Sequence, residues 1–297
     1  MFSWNRVLAS PDLSVWDTLA LVNARGMFSY CYQFNTNSLE NWNTAALQDA
    51  SYMFASAKQF DGSLAGWDPQ SITTLEGFML SARSFNQNSF GGWTNTNNLQ
   101  NMAFTFRDAI SFNQPVPFQT SAVTTFQQCF DNAISFNQPL NWDVSSAIGL
   151  YYMFRGAVAF DQSVSGFDVT GVELLSGMFQ GATNFTNGGD VDGLSQWNTA
   201  SASDMSSMFE GTSGNWNLNG WNVERVQSFN RMFAGNAEYR GTGIETWITS
   251  RASDMNSMFE GCLNFVGDVS GFQTQNVESM VAMFRGADQW TSDISAW

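Results

Sequence analysis

The sequence contains no histidine in its 297 residues. Histidine is the usual general base at neutral pH, a member of most nucleophilic triads and a common transition-metal ligand. Its absence argues against most hydrolases and most metal-dependent enzymes. A pair of carboxylates is the main acid–base arrangement that stays open.

Basic residues are also scarce. The chain has ten arginines and one lysine, Lys58, against 26 acidic residues, which gives a net charge of −15. This charge repels a polyphosphate and an anionic membrane surface. We therefore expect neither nucleic acid nor an anionic membrane among the partners.

Long apolar runs are absent from the chain. No window holds roughly 18 consecutive apolar residues, the length that a membrane-spanning helix needs. The first residues, Met1–Arg6, do not begin a charged region followed by an apolar one. The sequence thus predicts neither a membrane span nor a signal peptide within these residues, and a secretion signal would lie outside them.

What the sequence contains instead is a repeat. A Met-Phe pair recurs along the chain, and its copies, some of them altered, lie 24 to 30 residues apart. A period of this length is typical of proteins built from stacked repeats. Position 0, the second residue of the pair, falls at Phe28, Phe54, Met79, Phe106, Phe130, Phe154, Phe179, Phe209, Phe233, Phe259 and Phe284. Met1-Phe2 is in phase as a further copy, so we predict one elongated domain over residues 1–297, of about 11–12 repeats, that is part of a longer array.

Apolar residues around position 0 follow a helical spacing. They stand at −7, −4, −1, 0 and +3, as in Val172, Leu175, Met178, Phe179 and Ala182. Intervals of three and four residues place side chains on one face of an α-helix. This half of each repeat therefore predicts a short helix with one buried face.

A second aromatic residue stands six residues after position 0, and polar residues follow it directly. The triplet Phe136–Gln138, which reads Phe-Asn-Gln, is one example. An asparagine in every repeat can donate to and accept from the backbone of its neighbours. Two interpretations stay open, an internal structural ladder and a row of ligand-binding groups.

A third aromatic residue, usually tryptophan, comes later in the repeat. The segment that carries it, such as Leu140–Val144, alternates apolar and polar residues, which is typical of a half-buried strand. Stacked repeats would align these strands in a parallel sheet along one side, with the helices opposite. The predicted fold class is therefore an α/β repeat solenoid with one short strand and one short helix per repeat.

The three cysteines fall on apolar positions of the repeat. Cys31 and Cys262 stand at +3, which alanine fills in most other repeats, and Cys129 stands at −1. Cys31 and Cys129 are four repeats apart, roughly 20 Å at about 4.8 Å per stacked repeat, and a disulfide spans only about 7 Å between α-carbons. We predict three free, buried thiols.

The segment Phe136–Ser145, which reads FNQPLNWDVS, resembles the repeat of the BspA-like group of bacterial surface proteins and lipoproteins, a group related to leucine-rich repeats. The likeness covers nearly the whole chain, and the chain departs from it where phenylalanine replaces tryptophan at Phe118, Phe167 and Phe272. The resemblance implies a leucine-rich-repeat-like superhelix on a cell surface, serving attachment or molecular recognition, with no catalytic residues.

The longest repeat contains an insertion that is a candidate metal site. Asn187, Asp190 and Asp192 lie among glycines there. Alternating oxygen ligands on a flexible loop suit calcium, although the downstream glutamate of an EF-hand is missing. The two interpretations are a calcium site and an ordinary solvated turn.

Asn184 begins the only N-glycosylation sequon of the chain, Asn184–Thr186. The middle residue of this sequon occupies the second aromatic position, which is expected to be buried. Asn184 is accordingly a candidate modification site, and a chance occurrence of the motif is the alternative.

A pair of carboxylates is the remaining route to catalysis, as in glycosidases. Asp143 and Asp168 share one phase in adjacent repeats, and stacking would bring them about 5 Å apart, a separation that retaining glycosidases use. Asparagine fills the same phase in other repeats, where it could not act as an acid. A row of side chains that cap turns explains the whole column.

These observations favour a non-enzymatic, extracellular or cell-surface protein for adhesion or for recognition of a protein or a carbohydrate. The alternative is a structural subunit of a surface filament, because solenoids without polar capping repeats can associate end to end. A carbohydrate-active enzyme is the third possibility.

Overall fold

The computed structural model describes residues 2–297, and the chain forms two compact units, Met1–Ser146 (unit 1) and Ala147–Trp297 (unit 2). Each unit is a stack of repeats. The first repeat of unit 1 has Phe2 at position 0, because the Phe2 ring stacks on Phe28 with centroids 5.8 Å apart. Phe28 stacks in the same way on Phe54, at 5.7 Å.

The predicted α/β solenoid with a leucine-rich-repeat-like superhelix is wrong. Within residues 2–297 the only helix is a 3-10 helix, Gly193–Gln196, and there is no strand and no sheet. Successive repeats are joined by isolated parallel bridges. In unit 1 these pair Asn23 with Asp49, Asp49 with Thr74, Thr74 with Asn101, and Asn101 with Thr125. In unit 2 they pair Gly149 with Leu174, Leu174 with Asp204, Asp204 with Ser228, Ser228 with Asp254, and Asp254 with Ser279.

The segment predicted as a helix is a succession of tight turns. In the third repeat of unit 1, the Met53 amide donates to the Ala50 carbonyl at 3.2 Å and the Ala57 amide to the Phe54 carbonyl at 2.9 Å. These bonds reach back three residues, whereas an α-helix reaches back four. Turns of this length also return side chains to one face every three or four residues, which is why the apolar spacing looked helical.

Alternate amides of the same segment donate to the next repeat. Tyr52 donates to the Glu76 carbonyl at 2.7 Å, and Ser56 donates to the Leu80 carbonyl at 2.6 Å. Both residues have positive φ, 55° at Tyr52 and 60° at Ser56, which points their amides out of the turn. Positions −2 and +2 have positive φ in every repeat from Phe28 onward. A left-handed residue costs roughly 1–2 kcal/mol, and the bonds between repeats offset that cost.

The segment predicted as a strand has no backbone ladder, because side chains occupy its hydrogen-bonding groups. The indole Nε1 of Trp142 donates to the Val116 carbonyl at 2.9 Å, and Thr120 Oγ1 donates to the Asp143 carbonyl at 2.9 Å. The rings of Phe118 and Trp142 are 6.3 Å apart, whereas the rings of Phe106 and Phe130 are 5.3 Å apart. The aromatic rings are therefore more widely spaced on the tryptophan side than at position 0.

Three aromatic columns form the core of each unit, as the phase of the repeat predicts. The rings at positions 0 and +6 stack within one repeat, with centroids 4.1 Å apart for Phe54 and Phe60 and 4.0 Å apart for Phe154 and Phe160. All four side chains are fully buried. The prediction of three free, buried cysteines is confirmed as well.

The polar residues at +7 form an internal ladder. The Asp61 amide donates to Asn35 Oδ1 at 3.0 Å, and the Asn113 amide donates to Asn86 Oδ1 at 2.9 Å. Gln114 Nε2 also donates to Asn86 Oδ1, at 3.1 Å. Each such side chain thus joins one repeat to the next. This confirms the prediction of a structural ladder, to which a row of ligand-binding groups is the alternative.

No helix in residues 2–297 is long and apolar enough to cross a membrane.

Candidate recognition surface

The basic residues of unit 1 are confined to one stretch of the repeat. All five lie between positions −3 and +4, at Arg6, Arg25, Lys58, Arg83 and Arg107. Three of them share position +4 with one tyrosine, in the first four successive repeats. We call this set the cation column; it consists of Arg6, Tyr32, Lys58 and Arg83.

The local fold directs position +4 outward. In the second to fourth repeats it follows a buried alanine or cysteine at +3 and precedes a buried phenylalanine at +6, so its side chain leaves the core; in the first repeat Arg6 is itself exposed. Backbone bonds hold the column in register, because the Gln59 amide donates to the Tyr32 carbonyl at 3.2 Å and the Ser84 amide to the Lys58 carbonyl at 3.1 Å. Arg6, Lys58 and Arg83 are exposed, and Tyr32 is half-buried between its neighbours.

Two of these cations are ordered by the ring of Tyr32. The guanidinium carbon of Arg6 is 5.2 Å from the ring centroid, and Lys58 Nζ is 4.5 Å from it. A cation within about 6 Å of an aromatic centroid is attracted to the negative face of the ring. Tyr32 therefore keeps two like charges close together without a carboxylate between them.

Further aromatic residues support this arrangement. The Trp4 and Tyr30 rings, both at +2, stack with centroids 4.0 Å apart and an interplanar angle of 8°. Tyr30 meets Tyr32 edge to face at 6.4 Å, and Arg6 lies 5.9 Å from the Trp4 ring. Rings in such contact limit the motion of one another, so the cations rest on a rigid base.

The cations of the column have no acidic partner. Within residues 2–297 no carboxylate oxygen lies within 4.0 Å of the charged groups of Arg6, Lys58 or Arg83. The other two basic residues of unit 1 do pair, Arg25 with Glu76 at 3.9 Å and Arg107 with the buried Asp131 at 3.4 Å. The column is thus the part of unit 1 where positive charge is free to meet a ligand.

Arg25 belongs to a closed network with Tyr52 and Glu76. Tyr52 donates its hydroxyl to Glu76 Oε1 at 2.5 Å, and Arg25 lies 5.1 Å from the Tyr52 ring centroid. Burial, together with the hydrogen bond and the negative charge of Glu76, raises the pKa of Tyr52 to about 12. Tyr52 thus stays protonated and donates to Glu76, which leaves this carboxylate occupied.

Unit 2 carries no such column. Its positions +4 hold Val158, Thr183, Ser213, Ala237, Leu263 and Asp288. Its arginines near position 0 include Arg231, which bonds Glu210 Oε1 at 2.6 Å, and Arg285, which bonds Glu260. The equivalent surface of unit 2 is therefore neutral or charge-balanced, and it serves as an internal comparison.

The candidate calcium residues hold the inserted loop in place. Asn187 is fully buried; its Oδ1 accepts from the Val164 amide at 2.9 Å, and its Nδ2 donates to the Asp190 carbonyl at 3.1 Å. Asp192 Oδ1 accepts from Asn217 Nδ2 at 3.0 Å. Asn187 thus turns its amide nitrogen toward the Asp190 carbonyl, and a calcium site at Asn187, Asp190 and Asp192 stays a prediction. Within residues 2–297 no three His, Cys, Asp or Glu groups are placed to hold a metal ion.

The three residues of the sequon differ in their exposure and contacts. Asn184 is exposed, whereas Phe185 is buried. Thr186 Oγ1 donates to Asp161 Oδ1 at 2.8 Å and accepts from the Gly189 amide at 3.0 Å. Modification of Asn184 stays a prediction.

The candidate carboxylates cap turns. Asp143 Oδ1 accepts from the Ser145 amide at 2.9 Å, and Asp168 Oδ1 accepts from the Thr170 amide at 3.0 Å. The hydrogen bonds from the side chain and the amide of Thr170 hold the pKa of Asp168 below its ordinary value. A general acid needs a raised pKa, so this arrangement supports the turn-capping interpretation of the column.

The cation column was missed by sequence reasoning, although a signal for it exists. Net charge treats basic residues as a total, and a total of −15 hides their arrangement. Assigning each basic residue its position in the repeat places Arg6, Lys58 and Arg83 together at +4. Their freedom from acidic partners could only come from the structure.

The chain matches one family model three times in tandem, over residues 1–117, 116–217 and 212–297. That family is described as "Mycoplasma protein of unknown function, DUF285", and the three matches span the whole chain. The chain belongs to the DUF285 family. Tandem matches confirm that this DUF285 chain is a repeat protein, but they do not specify the BspA-like group. No curated protein and no solved structure matches the chain.

Proposed function

We propose that this DUF285 chain is a non-enzymatic recognition protein, extracellular or on a cell surface, that binds a carbohydrate or a protein through the cation column of unit 1. The observation that supports this function is a set of three exposed cations, two of them held against Tyr32 and none paired with a carboxylate. The surface location is supported by the resemblance of the repeat to those of bacterial surface proteins.

The order within the column favours binding. Fixing a flexible side chain at an interface costs roughly 0.5–1.5 kcal/mol, and cation–π contacts made before binding lower that cost. Unpaired charges also speed the approach of a ligand of opposite sign. Arg6 and Lys58 combine both properties, because each is exposed and each lies on the Tyr32 ring.

The test is a binding comparison on printed glycans and on purified cell-surface proteins. One variant replaces Arg6, Lys58 and Arg83 with glutamine, and the control replaces the exposed Arg225, Arg240 and Arg251 of unit 2 with glutamine. Both variants change the net charge equally. We expect the first variant to lose roughly tenfold or more in affinity, because a charge-assisted bond contributes about 1.5–3 kcal/mol, and the control to bind as the parent does. Equal affinity of the two variants for the ligand would show that the cation column does not bind it.

A further inference from the structure

We infer that the ligand of the cation column is an acidic polysaccharide, with carboxylate or sulfate groups bound by Arg6, Lys58 and Arg83. This inference rests on the proposed function and names the class of partner for that surface. Three features of the described residues carry it: the spacing of the cations, the polar groups beside them, and the occupied state of the neighbouring acids.

The spacing of the cations fits a chain-like ligand. The column occupies four successive repeats, and at about 4.8 Å per stacked repeat its two ends, Arg6 and Arg83, lie roughly 15 Å apart. A single small anion would bridge only neighbouring members of the column. A linear polymer with repeated negative groups can meet all three cations, and arginine binds carboxylate or sulfate oxygens with two parallel hydrogen bonds.

The polar groups beside the column fit hydroxyl-rich monomers. The next position, +5, holds the exposed Gln33, Gln59 and Ser84 in the second to fourth repeats, and the exposed Val7 beside Arg6 in the first. Amide and hydroxyl side chains both donate and accept hydrogen bonds, as sugar hydroxyl groups also do. The surface therefore pairs a row of cations with a parallel row of two-way hydrogen-bonding groups.

Several acidic side chains of unit 1 are engaged by other groups of the protein, among them Asp61, which accepts from the Asn86 amide at 2.9 Å and from Gln87 Nε2 at 3.0 Å. Glu76 is occupied by Tyr52 and Arg25, and Asp131 is occupied by Arg107. More distant acidic groups are screened, because the Debye length is about 8 Å at physiological ionic strength. Nucleic acid is less favoured, since duplex DNA carries one charge per about 1.7 Å, far more than three cations over roughly 15 Å can neutralise.

The experiment measures affinity of the full chain for oligosaccharides of equal length by calorimetry. The probes are a polyuronate, a sulfated glycan and a neutral glucan, with an acidic peptide and single-stranded DNA for comparison. We expect one or both acidic glycans to bind at least roughly tenfold more tightly than the other probes, and their affinity to fall as salt rises. The carboxylated and sulfated probes distinguish the two sources of negative charge.

Two variants separate charge from positioning. Replacing Arg6, Lys58 and Arg83 with glutamine should abolish the preference for acidic glycans, whereas the matched change at Arg225, Arg240 and Arg251 should leave it intact. Tyr32→Leu keeps every charge but removes the ring between Arg6 and Lys58, so we expect weaker acidic-glycan binding with an unchanged melting temperature. An unchanged affinity in Tyr32→Leu would contradict the positioning role.

The outcomes separate this inference from the proposed function. Equal affinity for neutral and acidic glycans overturns the acidic-polysaccharide inference and leaves glycan recognition standing. Tighter binding of the peptide or of DNA replaces the polysaccharide with that class of polymer. If no probe binds, either in calorimetry or on the arrays, both the acidic-polysaccharide inference and the proposed recognition function are overturned.

Discussion

The ring of Tyr152 lies over Gly177, which occupies the same position, −2, in the next repeat. A Cβ atom on Gly177 would lie 2.2 Å from Cε1 of Tyr152. The same pairing occurs in unit 1, where a Cβ on Gly77 would lie 2.5 Å from the Tyr52 ring. At position −2, each of the two tyrosines is therefore matched by a glycine in the following repeat.

This relationship predicts that Gly177→Ala destabilises unit 2 by two separate effects. Gly177 has a φ of +58°, which costs a residue with a side chain roughly 1–2 kcal/mol, and the clash with Tyr152 adds about 1–3 kcal/mol. The control is Gly181→Ala. Gly181 has a φ of +70°, but its Cβ would meet no atom closer than 3.8 Å, so only the backbone cost applies.

Chemical denaturation of the variants separates the two effects. Adding Tyr152→Ala to Gly177→Ala should relieve the steric clash, whereas the cost of the positive φ at position 177 should stay. If the Gly177 and Gly181 variants unfolded with equal free energies, the tyrosine ring would not occupy the space over Gly177.

Phe154→Ala should lower the free energy of unfolding by about 3–5 kcal/mol, the range for loss of a core phenylalanine. Phe154 is fully buried and stacks on Phe160 at 4.0 Å and on Phe179 at 5.6 Å. Val158→Ala is the control, because Val158 is 42% exposed. A neutral Phe154→Ala in equilibrium unfolding would contradict the register of the repeat.

Trp221→Phe tests the indole hydrogen bonds of the third aromatic column. Trp221 Nε1 donates to the Leu194 carbonyl at 2.7 Å, and this carbonyl also accepts from the Trp197 amide at 3.1 Å, so loss of the indole bond alone costs about 0.5–1.5 kcal/mol. Trp247→Phe is a matched control, since Trp247 Nε1 is buried without an acceptor among the residues described. Thermal or denaturant unfolding should therefore show a larger loss for Trp221→Phe than for Trp247→Phe. The opposite order would show that ring size, not the hydrogen bond, selects tryptophan here.

The three cysteines should resist thiol reagents in the native protein and react after unfolding. All three are free and buried. Burial raises the pKa of Cys262 to about 12 and also raises that of Cys129, so the reactive thiolate is rare at neutral pH. Titration at pH 8 should find three thiols in denaturant; fewer would indicate a disulfide.

Glu210 should make unfolding depend on pH under acidic conditions. Burial raises its pKa, but hydrogen bonds from Arg231, Ser207 and Gln180 outweigh burial and hold the pKa below the ordinary value of 4.5. A lowered pKa in the folded state gives stability that is present above the ordinary value and is lost as pH falls through the folded value. Unfolding of Glu210→Gln between pH 5 and about pH 3 should therefore depend less on pH than unfolding of the parent. Glu224→Gln, at an exposed position, is the control, and equal pH profiles for parent and Glu210→Gln would argue against this linkage.

The sequence by itself determined the phase of the repeat and its buried side. Phe54 and Phe60, or Phe154 and Phe160, recur at constant intervals, and an apolar side chain that recurs in every repeat is buried by its neighbours whatever the backbone does. The same reasoning located the free cysteines and the asparagine ladder. Each of these properties depends on periodicity and polarity alone.

The backbone conformation was decided only by the tertiary structure. Intervals of three and four residues suit a helix and a succession of tight turns equally well. The choice depends on residues such as Tyr52 and Ser56, which accept positive φ because the next repeat supplies acceptors for their amides. No property of a tyrosine or a serine indicates this in advance. On the tryptophan side, bonds from indole and hydroxyl groups likewise take the place of the expected strand pairs.

The candidate site divides in the same way. Sequence places Arg6, Lys58 and Arg83 at one position of the repeat. Only stacking brings them into one exposed column, puts Tyr32 between two of them, and leaves all three without a carboxylate partner in residues 2–297. Whether a charged side chain is paired depends on distances between repeats, and the sequence alone does not give those distances.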